Sequence, residues 1–113
     1  MPLKDYRLKK EKDFNLLFKK GNKLYSKTFT LLFLPADGLK AGYAVGKKFG
    51  CSVKRNRIKR LFRESFRSFI PDLQENFFFV FIPKISEQYD FHKIKEDMNY
   101  IFNKGNFFKD KKV

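Results

Sequence analysis

The densest concentration of side chains able to bind a ligand is a run of cations. Nine Lys or Arg residues and a single acid, Glu64, lie between Lys47 and Arg67, so this segment has a local net charge of +8. On ordinary solvated helices, charges of opposite sign usually alternate. Because acids are nearly absent here, the run predicts a surface that binds anions. Its arginines favour phosphate in particular, since a planar guanidinium matches phosphate oxygens.

Groups suited to catalysis are scarce by comparison. His92 is the only histidine and Cys51 the only cysteine, and two such ligands cannot build the usual four-ligand zinc site. The acids are scattered singly, without the carboxylate cluster that a two-metal nuclease needs. Asp37, Asp72 and Asp90 fit turns and helix caps. We therefore expect no catalytic residue, no metal bound by the protein, and no role for Cys51 beyond that of a small turn residue.

The charge of the whole chain indicates what kind of partner it binds. The 113 residues carry 26 Lys and Arg against 12 Asp and Glu, a net charge of +14, which folding does not require and which implies an anionic partner. We find no apolar run of membrane-spanning length and no secretion or lipidation signal. The single cysteine fits a reducing cytoplasm. We therefore expect a cytoplasmic protein that binds nucleic acid and no membrane.

The cations between residues 47 and 67 lie mainly on one predicted helix, from about Val53 to Phe69, which ends before Pro71. At 100° per residue, its apolar stripe comprises Ile58, Leu61, Phe62, Ser65, Phe66 and Phe69. The opposite face carries Asn56, Arg60, Arg63 and Arg67. Arg57 and Lys59 flank that face, and Lys54 and Arg55 lie at the amino end, after a loop that contains Lys47 and Lys48.

Five further elements are predicted around this helix. A first helix spans about Lys9–Lys20, with apolar Phe14, Leu17 and Phe18, and Gly21 follows it. The runs at residues 29–34 and 42–46 predict two strands of a hairpin, because Pro35 to Gly38 has turn composition. The apolar run at 77–82 predicts a buried central strand. Asp90 caps a last helix, whose stripe comprises Phe91, Ile94, Met98, Ile101 and Phe102.

The order α-β-β-α-β-α predicts an α+β fold, a two-layer sandwich of one sheet and its helices, with a helical crossover between the second and third strands. Residues 1–113 are long enough for one domain. The basic ends, about 1–5 and 109–113, are predicted to be flexible.

Two segments resemble the protein subunit of bacterial ribonuclease P. Residues 46–64, GKKFGCSVKRNRIKRLFRE, contain the Arg-Asn-Arg signature of that family within a glycine-bearing loop and a basic amphipathic helix. Residues 12–21, KDFNLLFKKG, match its first helix. The resemblance covers nearly the whole chain. It implies a subunit bound to a catalytic RNA, which itself removes the 5′ leader of precursor tRNA, and an uncommon left-handed β-α-β crossover. We expect one protein copy per RNA, a number that the residues alone leave open.

The resemblance also implies which residues contact RNA. Contacts with the catalytic RNA fall on the predicted basic helix, and Lys54 and Lys59 would support them by binding phosphates. The other residues implied are Arg55, Asn56, Arg57, Arg60, Arg63 and Arg67. Magnesium ions would be held mainly by the RNA, and the protein would lower the magnesium requirement through its positive charge.

A second implied site is a cleft between the first helix and the sheet, which holds the single-stranded 5′ leader. Its predicted lining comprises Phe14, Phe18, Leu32, Lys47, Lys48 and Lys84. Leu32 stands where the family often has tyrosine, which would weaken stacking, and Ile82-Pro83-Lys84 stands where an arginine is often found. The leader contacts are therefore implied less strongly than the contacts with the catalytic RNA. Residues alone leave open whether Phe14 and Phe18 belong to the cleft or to the core.

Two other classes of function compete with this interpretation. A ribosomal-type protein that binds structured RNA without a processing role would have a similar composition. A self-sufficient nuclease would need the carboxylate cluster or the histidine acid and base that the sequence lacks.

Overall fold

The computed structural model describes residues 5–109 of the chain. Most of the predicted flexible ends therefore lies outside the described residues. Seven main elements follow one another in the order α-β-β-β-α-β-α. They are α1 (Glu11–Lys20), β1 (Asn22–Tyr25), β2 (Phe29–Pro35), β3 (Lys40–Tyr43), α2 (Ser52–Arg67), β4 (Phe77–Pro83) and α3 (Phe91–Lys104), with short 3₁₀ turns at Lys47–Phe49 and Ile70–Asp72.

The four strands form one mixed sheet in the order β1-β2-β4-β3. β1, β2 and β4 pair antiparallel, whereas β3 runs parallel to β4. α2 joins these two parallel neighbours, so the predicted crossover is present. The α+β class and the three helices are confirmed, and Asp90 caps α3 as predicted by accepting a hydrogen bond from the His92 backbone N–H at 2.8 Å.

The predicted hairpin between residues 29–34 and 42–46 is wrong. β4 lies between these segments, because its apolar residues are covered on both faces of the sheet and this suits a central position. β3 is also earlier than predicted, at Lys40–Tyr43. The actual hairpin joins β1 to β2, and β1 was missed because it is a short and largely exposed edge strand without an apolar pattern.

The main core lies between one face of the sheet and the helices α2 and α3. Phe62 and Phe66 of α2 contact Phe81 of β4, with ring centroids 6.3 and 5.6 Å apart. Phe29 meets Phe62 edge to face at 5.6 Å. These rings are at most 2% exposed, and such aromatic pairs stabilise a core beyond the area that they bury. Ile94, Met98, Ile101 and Phe102 complete this core from α3.

A smaller core lies on the opposite face of the sheet, beneath α1. It consists of Leu8, Leu17, Leu32 and Val80, each at most 6% exposed. The Phe14 ring lies over Gly42 of β3, where a Cβ atom would overlap its Cε1 and Cζ atoms. The missing side chain at Gly42 therefore lets the start of α1 approach the sheet.

We predict that Gly42→Ala destabilises the fold by about 1 to 3 kcal/mol, because the added methyl group forces Phe14 out of its place. Urea denaturation measures this as a lower unfolding midpoint. Gly46→Ala is the matched control, since nothing lies within 4 Å of its Cβ position, and we expect a change below about 0.5 kcal/mol. Equal midpoints for the two variants would show that Phe14 is not held by this contact.

Candidate nucleic-acid interface

The apolar side of α2 fixes the orientation of its basic side. Ile58, Phe62, Ser65 and Phe66 are buried, and Leu61 and Phe69 are half-buried at the edges of the stripe. The predicted stripe is therefore confirmed. Because this side faces the core, the opposite side faces solvent. Exposed there or at the amino end are Lys54, Asn56, Arg57, Arg60 and Arg67, while Arg55, Lys59 and Arg63 are half-buried.

Few of these cations have an anionic partner within residues 5–109. Arg60 Nε lies 3.4 Å from Glu64 Oε1, and this is the one ion pair on α2 between described residues. Both side chains are substantially exposed, so the pair contributes little and does not hold Arg60. Arg55 donates a hydrogen bond to the neutral Ser52 hydroxyl at 3.2 Å. The basic side of α2 thus keeps most of its charge available to a ligand.

Arg63 is positioned by a residue that the sequence did not reveal, Tyr43 of β3. The Arg63 Cζ atom lies 5.8 Å from the centroid of the Tyr43 ring, which itself stacks on Phe81 at 5.7 Å. This is cation–π geometry. The Nε atoms of Arg63 and Arg55 are buried, without a hydrogen-bond partner in the described structure. Tyr43 could not be found from local spacing, because only the packing of β3 against α2 brings it to Arg63.

The Tyr43 hydroxyl remains protonated near neutral pH. Burial raises its pKa well above the ordinary tyrosine value, and the charges of Arg63 and Arg67 oppose this rise only in part. The ring is therefore a neutral support for the guanidinium and adds no negative charge to the basic side of α2.

The predicted lysines Lys47, Lys48 and Lys84 lie near the same end of the sheet. Lys47 and Lys48 follow β3 and Lys84 follows β4, and these adjacent strands are parallel, so the segments after them leave the sheet at one end. Buried Phe49 anchors the turn that carries Lys47 and Lys48. All three lysine side chains are exposed, and α2 begins shortly after the same turn.

The aromatic residues of α1 divide between core and surface. Phe14 is half-buried and packs around the small core, whereas Phe18 is 49% exposed. Phe14 and Phe18 are four residues apart, so they are neighbours on the surface of α1, next to buried Leu17. Around this small core, half-buried apolar side chains continue the surface next to α1. We call these residues together with Phe18 the α1 cleft: Phe14, Leu34, Ala44, Phe78 and Ile82.

The prediction that Leu32 lines this cleft is wrong. Leu32 is 1% exposed and packs with Leu17 and Val80 in the small core. A leucine is favoured here because α1 covers the middle of this sheet face, where an apolar side chain is removed from water. Leu32 therefore supports α1 from below and offers no surface to a base.

Groups that could hold a metal do not gather in the described range. Within residues 5–109, no three His, Cys, Asp or Glu side chains come together in a way that could hold a metal ion. His92 is exposed at the start of α3. The thiol of exposed Cys51 has a lowered pKa, chiefly because the Lys54 backbone N–H stabilises the thiolate.

None of the helices in this range is long and apolar enough to cross a membrane.

Comparison with known proteins gives one consistent family. The family model for Ribonuclease P matches residues 1–106. The ribonuclease P protein component of Caldanaerobacter subterraneus is 36% identical over 110 residues, which are 93% of each chain. That of Listeria monocytogenes is 33% identical over 112 residues, 96% of this chain and 94% of its own.

Solved structures agree with this result. The RNase P protein from Thermotoga maritima superposes with a TM-score of 0.77 at 32% identity, covering 87% of this chain and 96% of its own. The Staphylococcus aureus RNase P protein gives a TM-score of 0.80 at 26% identity, covering 94% of this chain and 100% of its own. The similarity therefore extends over nearly the full length in sequence and in fold.

Proposed function

This chain belongs to the ribonuclease P protein family, and from that premise we propose that it binds the catalytic RNA through α2 and the 5′ leader of precursor tRNA through the α1 cleft. In this assignment the RNA subunit hydrolyses the phosphodiester bond, and the protein is the non-catalytic subunit of an endoribonuclease. One copy of the protein acts with each RNA. Family membership favours this role over that of a ribosomal-type protein.

The observation that carries the first half of the proposal is the charge distribution of α2. Its cations have a single, weak ion pair among the described residues, while its other side is fixed in the aromatic core. A rigid helix of this kind can place several guanidinium groups against a phosphate backbone with little loss of conformational freedom. Each phosphate that it neutralises also releases condensed counterions, so binding will weaken as the salt concentration rises.

The protein contributes to cleavage through the same positive charges of α2. Folded RNA brings phosphates close together, and magnesium ions normally offset their repulsion. Cations on α2 supply part of that compensation, so the complex needs less magnesium than the RNA alone. We propose that magnesium is held mainly by RNA oxygens, because the hard Mg²⁺ ion binds oxygen ligands such as phosphates.

The 5′ leader of the precursor binds the aromatic surface beside α1. Phe18 offers a half-exposed aromatic surface, which stacks unpaired bases without demanding a sequence. Phe14 and Ile82 extend the apolar surface beside it. Lys47, Lys48 and Lys84 are the cations for leader phosphates. Mature tRNA has no leader, so these contacts favour binding of the precursor.

We predict that the double variant Arg57→Ala, Arg60→Ala binds the catalytic RNA about tenfold more weakly at physiological salt. We also expect the slope of log affinity against log salt to fall by about one for each phosphate that is no longer bound. Filter binding over a salt series measures both quantities. The matched control is Lys12→Ala, Lys19→Ala, which removes two exposed cations from α1 on the other face of the sheet. Unchanged affinity of the arginine variant would overturn the assignment.

We predict that Phe18→Ala lowers the preference of the assembled complex for precursor over mature tRNA by about tenfold, because one base stack is worth roughly 1 to 3 kcal/mol. Affinity for the catalytic RNA should not change. Leu16→Ala is the control, since Leu16 is similarly exposed at 46%, against 49% for Phe18, but lies outside the α1 cleft. A loss of preference in both variants, or in neither, would contradict the role of Phe18.

A further inference from the structure

A groove lies where the turn between β1 and β2 meets α3 and the segment that leads from β4 to α3. It encloses a volume of about 1040 Å³, slightly above the range of roughly 300 to 1,000 Å³ for sites that hold drug-sized molecules. We call it the tyrosine groove, after Tyr25 and Tyr100 in its lining. Lys27, Lys84 and Lys93 also line it, and only Lys84 belongs to the sites described above.

Of the three tyrosines in the groove, Tyr25 and Tyr100 are unusually open to solvent, whereas Tyr89 is half-buried and its hydroxyl donates a hydrogen bond to the Lys84 carbonyl oxygen at 2.9 Å. Tyr25 is 61% exposed and Tyr100 is 54% exposed, although aromatic rings of this size normally bury much of their surface. Lys104 Nζ lies 5.6 Å from the centroid of the Tyr100 ring, so one face of this ring already carries a cation. The two rings offer flat apolar surfaces with positive charge beside them.

The acids of the groove are largely engaged within the protein. Asp97 accepts hydrogen bonds from the Thr28 backbone N–H at 2.9 Å and from its hydroxyl at 2.6 Å, which ties α3 to the turn between β1 and β2. Asp90 caps α3 through the His92 N–H. Glu96 is the third acid in the lining. The three lysines balance the three acids in formal charge, but they form no ion pair with another described residue, so their ammonium groups remain free to contact phosphates.

The tyrosine groove continues the surface next to α1. Tyr25 pairs with Thr30 in the sheet, and Thr30 pairs with Ile82, so these three side chains form one row on the sheet face that α1 partly covers. Ile82 belongs to the α1 cleft, and Tyr25 also lines the groove. Lys84 follows Ile82 at the end of β4. A strand of RNA that leaves the cleft along this row would enter the groove.

We propose that the tyrosine groove is a second subsite for single-stranded RNA and takes leader nucleotides beyond those held in the α1 cleft. Bases stack on Tyr25 and Tyr100, and Lys27, Lys84 and Lys93 contact the phosphates between them. Aromatic surfaces with interleaved lysines bind single strands in this sequence-tolerant way. The inference rests on the proposed binding of the leader and extends it to longer leaders.

The test uses the complex of the full chain with a bacterial ribonuclease P RNA and a series of precursor tRNAs whose leaders grow by one nucleotide at a time. For the unaltered protein, affinity should rise in two stages, first as the α1 cleft fills and then as the groove fills. Tyr25→Ala, Tyr100→Ala should remove the second stage, a loss of about tenfold for each stacked base. Tyr25→Phe, Tyr100→Phe, the matched control, should keep it.

A second measurement does not depend on the tyrosines. Lys27→Gln, Lys93→Gln should reduce the slope of log affinity against log salt for long leaders only, by roughly 0.7 for each phosphate that these lysines no longer neutralise. A single stage of affinity, or a second stage that survives Tyr25→Ala, Tyr100→Ala, would overturn the assignment of the tyrosine groove to the leader. If affinity did not depend on the leader at all, the proposed function of the α1 cleft would fail as well.

Discussion

The packing of Phe62 and Phe66 against Phe81 is the interaction on which the basic side of α2 depends. These rings are at most 2% exposed and lie in a core that both α2 and α3 cover. Replacing Phe62 or Phe66 by alanine would leave a cavity and lower the free energy of unfolding by about 3 to 5 kcal/mol, which is a large part of the stability of a domain of this size. As long as this packing holds, α2 cannot rotate, and the side that carries Arg57, Arg60 and Arg67 stays turned to solvent.

The parallel pairing of β3 with β4 relates the basic side of α2 to the proposed leader surface. Because the two strands run in the same direction, both finish at the same edge of the sheet. The turn with Lys47 and Lys48 and the start of α2 follow β3 there, and Lys84 follows β4. α1 covers the other face and leaves its flanks open. The topology thus brings the proposed surface for the catalytic RNA and the proposed surface for the leader close to each other, while α2 and α1 stay on opposite faces.

The sequence predicted those parts of the structure that are set by a strong local pattern. α2, α3 and β4 have long apolar stripes or runs, so their types were predicted correctly. The buried residues of α2 and α3 lie within the predicted stripes, but Phe91 of the α3 stripe is half-buried. The exposed edge strand β1 has no such pattern, and the partner of β3 is decided by β4, more than 30 residues later in the chain. The burial of Leu32 and the contact between Tyr43 and Arg63 depend on how α1 and α2 dock, which local spacing does not encode.

The central claim is that this chain assists an RNA catalyst by supplying positive charge and contacts with the leader. The most direct test adds the purified protein to a bacterial ribonuclease P RNA and precursor tRNA over a series of magnesium concentrations and follows release of the 5′ leader. We predict strong stimulation at low magnesium that declines as magnesium rises, with no cleavage by the protein alone. Cleavage rates that do not change with the protein at any magnesium concentration would contradict the account.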